Sequence, residues 1–82
     1  MTELSLCMIV KNEEERLARC LSSVQGAVDE IIILDTGSTD GTKEVASRFT
    51  QRVYDYAWDD DFSAARNASF AYATRPFILW LD

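Results

Sequence analysis

Four short apolar segments alternate with three helix-like segments along a chain of only 82 residues. The apolar segments are Leu4–Val10, Val28–Leu34, Arg52–Tyr56 and Phe77–Leu81. Strands that alternate with helices indicate a parallel sheet, because each parallel connection is long enough to hold a helix. We therefore predict an α/β fold, an open parallel β-α-β-α-β-α-β sheet in the strand order 3-2-1-4 with right-handed crossovers.

The segments between the strands carry helix signals. The first has an apolar stripe at positions i, i+3, i+4 and i+7, formed by Leu17, Cys20, Leu21 and Val24. Asn12 stands just before three glutamates, which is typical of a helix N-cap followed by an acidic first turn. By the same argument, Asp40 and one of Asp59–Asp61 are expected to cap the second and third helices.

The size and charge of the chain limit its partners. A chain of 82 residues forms at most one small domain, and its formal net charge is -6. Proteins that bind nucleic acid carry a basic surface, so nucleic acid is not an expected partner. An acidic chain must hold an anionic ligand with backbone N–H groups, a few basic residues or a divalent cation.

The chain has two cysteines, Cys7 and Cys20, and no histidine. Without histidine, Ser-His-Asp and Cys-His catalysis are excluded and a zinc site is disfavoured. We interpret both cysteines as buried thiols in a reducing compartment. Residues 1–10 also lack the basic start of a signal peptide. We expect a cytoplasmic protein, with peripheral membrane attachment of the parent left open.

The turn after the second strand, Asp35-Thr36-Gly37-Ser38, fits two functions. The same letters occur in an aspartic protease half-site and in loops that lead into a helix and hold a nucleotide. A protease needs two such aspartates face to face and a glycine-rich flap. The chain has three glycines, at Gly26, Gly37 and Gly41, and a helix signal follows the turn within a few residues. The context therefore favours the nucleotide loop.

Polar residues follow each predicted strand. They are Lys11-Asn12-Glu13, Asp35–Ser38, Asp59–Asp61 and Asp82. In an open parallel sheet, ligands bind beyond the carboxyl ends of the strands, where the strand order reverses. These four clusters are therefore expected to share one edge of the sheet and to form one site.

Four ordered segments resemble the start of a family 2 glycosyltransferase domain. They are 5-SLCMIVKNEE-14, 31-IIILDTGSTDGT-42, 58-WDDDFSAARNAS-69 and 78-ILWLD-82. The resemblance implies a GT-A fold, in which a Rossmann-like half that binds a nucleotide sugar precedes an acceptor-binding half. Residues 1–82 would then be the truncated N-terminal, donor-binding part of such a domain.

The resemblance also implies roles at the nucleoside end. Val10 and the strand around it match the position that packs along the base and ribose. Asn12 is placed in the same nucleotide-sugar-binding set, and Glu14 near the ribose. Asp35 matches the acid that accepts a hydrogen bond from uracil or a related base. Many relatives carry a second acid where this chain has Thr36, which would alter base recognition in detail.

At the diphosphate end, the resemblance implies that Arg66 reaches the base or the diphosphate. Asp82 matches the first aspartate of the family's Asp-X-Asp, which holds Mn²⁺ or Mg²⁺ in the full-length parent. The general base of inverting members is expected beyond Asp82, so no catalytic residue is assigned within this segment.

We therefore predict a segment that binds a sugar nucleotide, most simply a UDP-sugar, for inverting transfer to an acceptor hydroxyl. The acceptor, whether glycan, lipid or protein, stays open. The alternative is a non-catalytic α/β module that only binds a nucleotide or serves in assembly. The edge beside the fourth strand would be uncovered, which invites self-association.

Overall fold

The computed structural model describes residues 3–81 and confirms the α/β prediction. The elements in chain order are β1 (Leu4–Val10), α1 (Glu14–Val24), a 3-10 turn (Gln25–Ala27), β2 (Glu30–Asp35), α2 (Thr42–Ser47), β3 (Val53–Asp55), α3 (Phe62–Ala71) and β4 (Phe77–Leu81). All strand pairs are parallel, and the strand order is β3-β2-β1-β4, as predicted.

The strand register sets the position of the loops. Val10, the last residue of β1, lies opposite Asp35, the last residue of β2. Asp35 in turn lies opposite Asp55, the last residue of β3. The chain segments that leave these three strands therefore start at the same edge of the sheet, as predicted for the polar clusters.

The helices cover both faces of the sheet. On one face, α1 and α2 pack through Leu17, Leu21, Val45 and Ala46 against Leu6, Met8, Val10, Ile31 and Ile33. On the other face, α3 packs through Ala65 and Ala68 against Ile9, Leu34, Tyr54 and Tyr56. Consequently β1 and β2 are buried almost throughout, as expected for parallel strands with helices on both sides.

The outer strands differ from the central ones. β3 is shorter than the predicted Arg52–Tyr56, because only Val53–Asp55 pair with β2. β2 begins at Glu30 and not at Val28, because its pairing with β1 starts at Glu30, opposite Ser5. β4 pairs only with β1 and leaves Phe77 66% exposed, with Ile78 and Leu79 also exposed. Within residues 3–81, no helix is long and apolar enough to cross a membrane.

The three cap predictions have different outcomes. Asp61 caps α3, because its side chain accepts a hydrogen bond from the Ala64 N–H. Asp40 lies one residue too early, since Gly41 is the cap position of α2, although the Asp40 carboxylate accepts the Thr42 N–H at 3.0 Å. Asn12 as a cap is wrong: Glu13 precedes α1, and Asn12 adopts a left-handed φ of 53°.

Candidate functional site

A cavity of about 550 Å³ opens at the carboxyl ends of β1 and β2. It is lined by Ile9, Val10, Lys11, Glu13, Thr36, Trp58 and Phe62. These residues come from β1, the loops that follow β1, β2 and β3, and the start of α3. The cavity thus occupies the place where parallel α/β sheets bind ligands.

The end of β1 is tied to the loop after β2. The backbone N–H and the hydroxyl of Thr36 both donate to the Val10 carbonyl, at 3.0 and 3.1 Å. The Asn12 N–H donates to the Ser38 hydroxyl at 2.9 Å, and the Asn12 side-chain oxygen accepts the Thr39 N–H at 2.8 Å. The first two polar clusters of the sequence therefore form one continuous rim.

Asp35 organises the turn that follows it. Its Oδ1 accepts the N–H groups of Gly37 and Ser38, at 2.8 and 2.7 Å. Gly37 has a φ of 103°, which favours glycine. Asp35 is 1% exposed, and its Oδ2 is buried without a hydrogen-bond partner. A buried oxygen without a donor is costly, so a ligand N–H that reached it would be stabilising.

Asp35 and Thr36 have different positions relative to the cavity. Thr36 lines the cavity, whereas Asp35, the preceding residue in the chain, is not part of the lining. The role of Asp35 as acceptor for the base stays a prediction. The sequence placed Thr36 in the Asp35–Ser38 cluster without a binding role of its own, and the structure places it in the cavity lining.

Glu14 lies beside the main cavity, in a smaller polar pocket that also contains Asn12 and Asp40. Its Oε1 accepts the Gly41 N–H at 3.0 Å. A Cβ on residue 41 would lie 2.7 Å from the Glu14 Oε2, so a larger residue there would make the end of the Glu14 side chain move. The Thr42 hydroxyl and N–H lower the pKa of the Asp40 carboxyl below its ordinary value. In this structure Glu14 holds α1 against the loop before α2.

Trp58 and Phe62 form the aromatic wall of the cavity, and sequence reasoning did not assign them. The Trp58 and Phe62 rings meet edge to face with centroids 6.2 Å apart, and Phe62 meets Trp80 of β4 at 5.6 Å. The available signal was that both flank the acidic triplet Asp59–Asp61, where an exposed aromatic residue has no obvious structural role.

Arg66 lies on α3, one helical turn beyond Phe62. Its guanidinium carbon lies 5.0 Å from the centroid of the Trp80 ring, a cation–π contact. Arg66 is not part of the cavity lining and makes no contact with Asp35 in the structure. Its predicted reach to a base or diphosphate stays a prediction.

The predicted metal ligand, Asp82, lies outside the described residues. Among residues 3–81, no group of three or more Asp, Glu, Cys or His residues is arranged to hold a metal ion. The described part of the chain thus contains the region predicted to bind the nucleoside. Metal binding through Asp82 stays a prediction.

Comparison with known proteins decides the family. The family model described as Glycosyl transferase family 2 matches residues 5–82. The chain belongs to glycosyl transferase family 2. This confirms the resemblance drawn from the four sequence segments.

Curated relatives of this family 2 chain are longer proteins. A TPR repeat-containing protein of Synechococcus elongatus is 52% identical over 82 residues, covering 100% of this chain and 20% of the relative. The SPbeta prophage-derived glycosyltransferase SunS of Bacillus subtilis is 42% identical over 77 residues, covering 92% of this chain and 18% of the relative. The chain thus spans about a fifth of the length of these curated relatives.

A solved structure shows the same fold. Glucosyl-3-phosphoglycerate synthase from Mycobacterium tuberculosis, solved in complex with Mn²⁺ and UDP-glucose, superposes with a TM-score of 0.81 at 26% identity. The match covers 96% of this family 2 chain and 32% of the synthase. The Rossmann-like part of a GT-A fold, as predicted, is therefore confirmed for the chain.

Proposed function

We propose that these residues form the donor-binding part of a glycosyltransferase that transfers a sugar from a nucleoside diphosphate to an acceptor hydroxyl. The observation that carries the proposal is the cavity at the carboxyl ends of β1 and β2 in a family 2 chain. A similar chain, the mycobacterial synthase, was solved with Mn²⁺ and UDP-glucose, which supports a UDP-sugar as donor.

The nucleoside end would enter the apolar part of the cavity. Ile9 and Val10 supply an apolar surface that a base and ribose can cover. Asp35 precedes Thr36 in the chain, and its unpartnered Oδ2 would accept a hydrogen bond from the imide N–H of uracil once the rim adjusts. A charged acceptor on a strand end gives a short, strong hydrogen bond.

The diphosphate would lie toward the open side, where charge must be compensated. Lys11 brings a positive charge to the cavity lining. Arg66, whose guanidinium packs on Trp80, would add a planar donor group. A divalent cation, Mn²⁺ or Mg²⁺, neutralises charge that gathers on a leaving diphosphate, and Asp82 is the residue we predict to hold it.

The proposed reaction is a direct displacement, with inversion at the sugar carbon. The acceptor hydroxyl attacks, its proton goes to a base supplied by the parent protein outside the described residues, and the nucleoside diphosphate leaves. The described residues would bind and orient the donor, a contribution that lowers the barrier by positioning. Inversion stays a prediction, as does a cytoplasmic location.

Nucleotide binding by the purified chain tests the donor proposal. We expect saturable binding of UDP by calorimetry, with weaker binding of uridine, because uridine lacks the charge that Lys11 contacts. The Lys11→Ala variant should therefore weaken UDP more than uridine. Arg19→Ala, which removes an exposed cation of α1 away from the cavity lining, is the matched control. No saturable binding of UDP or GDP by the wild-type chain would contradict the proposal.

Transfer by the full-length parent separates the enzyme from the non-catalytic alternative. A parent that binds UDP-sugars and releases UDP only with an acceptor is a transferase. A parent that binds UDP but never releases it from a UDP-sugar, across a panel of glycan, lipid and peptide acceptors, supports the binding module.

A further inference from the structure

Two large aromatic side chains at the cavity are exposed to solvent. Trp58 is 41% exposed and Phe62 is 40% exposed, and both line the same cavity. Exposed aromatic surface beside a concave site is costly to leave in water and is typical of a ligand contact. Neither residue belongs to the set that the family resemblance assigned to the nucleotide.

The loop that carries Trp58 is held by its own carboxylates. The Trp58 indole N–H donates to Asp60 Oδ1 at 3.0 Å, and Asp60 adopts a left-handed φ of 61°. Asp59 Oδ1 accepts the Asp61 N–H at 3.2 Å, and Asp61 Oδ1 accepts the Ala64 N–H at 3.0 Å. These contacts fix the loop on α3, so the indole position is set before any ligand arrives.

Phe62 supports Trp58 from the side. Its ring lies between Trp58 and Trp80, with interplanar angles of 78° and 71°. Edge-to-face pairs of this kind are the preferred geometry for aromatic rings. On the far side, the Arg66 guanidinium packs on Trp80. We call Trp58, Phe62, Trp80 and Arg66 the aromatic row; Trp58 stands at one end of it, and Trp58 and Phe62 line the cavity.

We propose that the indole of Trp58 stacks on the base of the bound nucleotide. The inference rests on the proposed function, because it names how the same cavity holds the base. A planar base matches the flat face of an indole, and Ile9 and Val10 add aliphatic surface to the lining of the same cavity. The base would thus contact both an aromatic and an aliphatic surface.

Stacking and edge recognition make different demands on the base. Every base has a π-face, so stacking on Trp58 stabilises uracil and guanine alike. Hydrogen bonding to the edge depends on the base, and Asp35 is the predicted partner for uracil. Trp58 therefore contributes affinity that does not depend on base identity, and its loss should weaken UDP and GDP by similar factors.

Fluorescence and calorimetry on the 82-residue chain test the stack. Trp58 and Trp80 are the two tryptophans of the sequence. Trp80→Phe leaves Trp58 as the reporter, and UDP should still quench its emission. Trp58→Phe leaves Trp80 alone, and the quench should be lost, while affinity falls by no more than about threefold because phenylalanine still stacks. Trp58→Ala should weaken UDP, uridine and GDP by about tenfold, the size of one base–aromatic stack.

Three outcomes would overturn the stack. The first is unchanged UDP affinity in Trp58→Ala, with the urea midpoint showing that the variant is folded. The second is a quench that persists in Trp58→Phe. The third is a Trp58→Ala variant that binds UDP-glucose more weakly than wild type but binds UDP equally well. This result would show that Trp58 contacts the sugar and not the base. Absence of UDP binding by the wild-type chain would overturn the proposed function as well, so the two failures are distinct.

Discussion

The side-chain oxygen of Asn12 accepts a hydrogen bond from the backbone N–H of Thr39, 2.8 Å away and 27 residues along the chain. The contact joins the loop after β1 to the loop after β2. Asn12 has a left-handed backbone, a region that asparagine tolerates better than most residues because its short polar side chain can form hydrogen bonds nearby. Asn12 is thus a link between two loops of the candidate site.

Replacing Asn12 tests this link. Asn12→Ala removes the hydrogen-bond acceptor. It also places alanine, which has no side-chain hydrogen bond to compensate, in the left-handed backbone region. We expect it to lower the free energy of unfolding in urea by about 1–3 kcal/mol. Asn12→Asp keeps both the acceptor and the tolerance for this backbone and should stay close to wild type. An alanine variant as stable as wild type would show that the link contributes nothing to stability.

Asp35 combines a structural contact with a predicted binding contact, and two variants separate them. Asp35→Asn can keep an acceptor for Gly37 and Ser38 but loses the free carboxylate oxygen. We expect it to weaken UDP binding by about 1.5–3 kcal/mol, the range for a hydrogen bond to a charged group. Thr36→Val should weaken UDP binding less. Calorimetry measures both.

Asp35→Ala removes the turn acceptor as well, so it should also lower the free energy of unfolding more than Asp35→Asn does. If Asp35→Asn binds UDP as wild type does, the carboxylate serves the turn alone, and the base is recognised by other groups.

The fold was predictable from sequence because its signals are local. Apolar runs such as Leu4–Val10, separated by helix-length segments, allow few sheet orders, and the observed order was among them. Asp61 as a cap was also predictable, since its partner, Ala64, lies three residues away. The Asn12 cap failed because a distant partner, Thr39, competes for the same side chain.

The aromatic wall was not predictable for a related reason. The position of Trp58 depends on the left-handed backbone of Asp60 and on a hydrogen bond within the loop. Neither follows from hydrophobic periodicity, which reports burial in helices and strands. A tryptophan before an acidic run suggests a functional residue, but the sequence does not predict where its side chain lies.

Glu30 should make the stability of the chain depend on pH. Its side chain is 9% exposed and pairs with Arg52, Oε1 to Nη1 at 3.0 Å. Burial raises the pKa of this carboxyl. Hydrogen bonds from the Thr74 hydroxyl and N–H and from Ser5, with the charge of Arg52, outweigh burial and leave the pKa below its ordinary value of 4.5. Because the pKa is lower in the folded state, the Glu30 carboxylate stabilises the fold at pH values above its ordinary pKa. This stabilisation is lost as the pH falls through the pKa of the folded state.

We therefore expect Glu30→Gln to unfold at lower urea concentration than wild type at pH 7, with the difference shrinking as the pH falls from about 5 to about 3. Glu3→Gln, an exposed position before β1, is the control and should change the urea midpoint little over this range. A Glu30→Gln effect that is constant over this range would show that packing, and not the charge, is responsible.

The exposed edge of the sheet should promote association of the chain with itself. β4 pairs with β1 on one side only, and its segment Phe77–Leu81 carries no charge. Such an edge is a template for a further strand. We expect concentration-dependent dimers by sedimentation velocity, reduced by Ile78→Lys. Gln51→Lys, with the same charge change at the other side of the sheet, should not reduce them. A chain that stays monomeric at all concentrations contradicts this prediction.

Turnover requires more parts than the described residues bring together. Metal-assisted transfer needs a held diphosphate, a bound metal, an oriented acceptor and a base within reach of its hydroxyl. Residues 3–81 supply the proposed nucleoside site and contain no arranged cluster of metal ligands. We therefore expect the 82-residue chain to bind UDP weakly, to gain little affinity from Mn²⁺, and to release no nucleoside diphosphate from UDP- or GDP-sugars above background. The full-length parent, assayed beside it with Mn²⁺, should release it. Steady, metal-dependent release by the chain alone, abolished by Asp35→Ala or Asp82→Ala, would show that this part already contains a working catalytic centre.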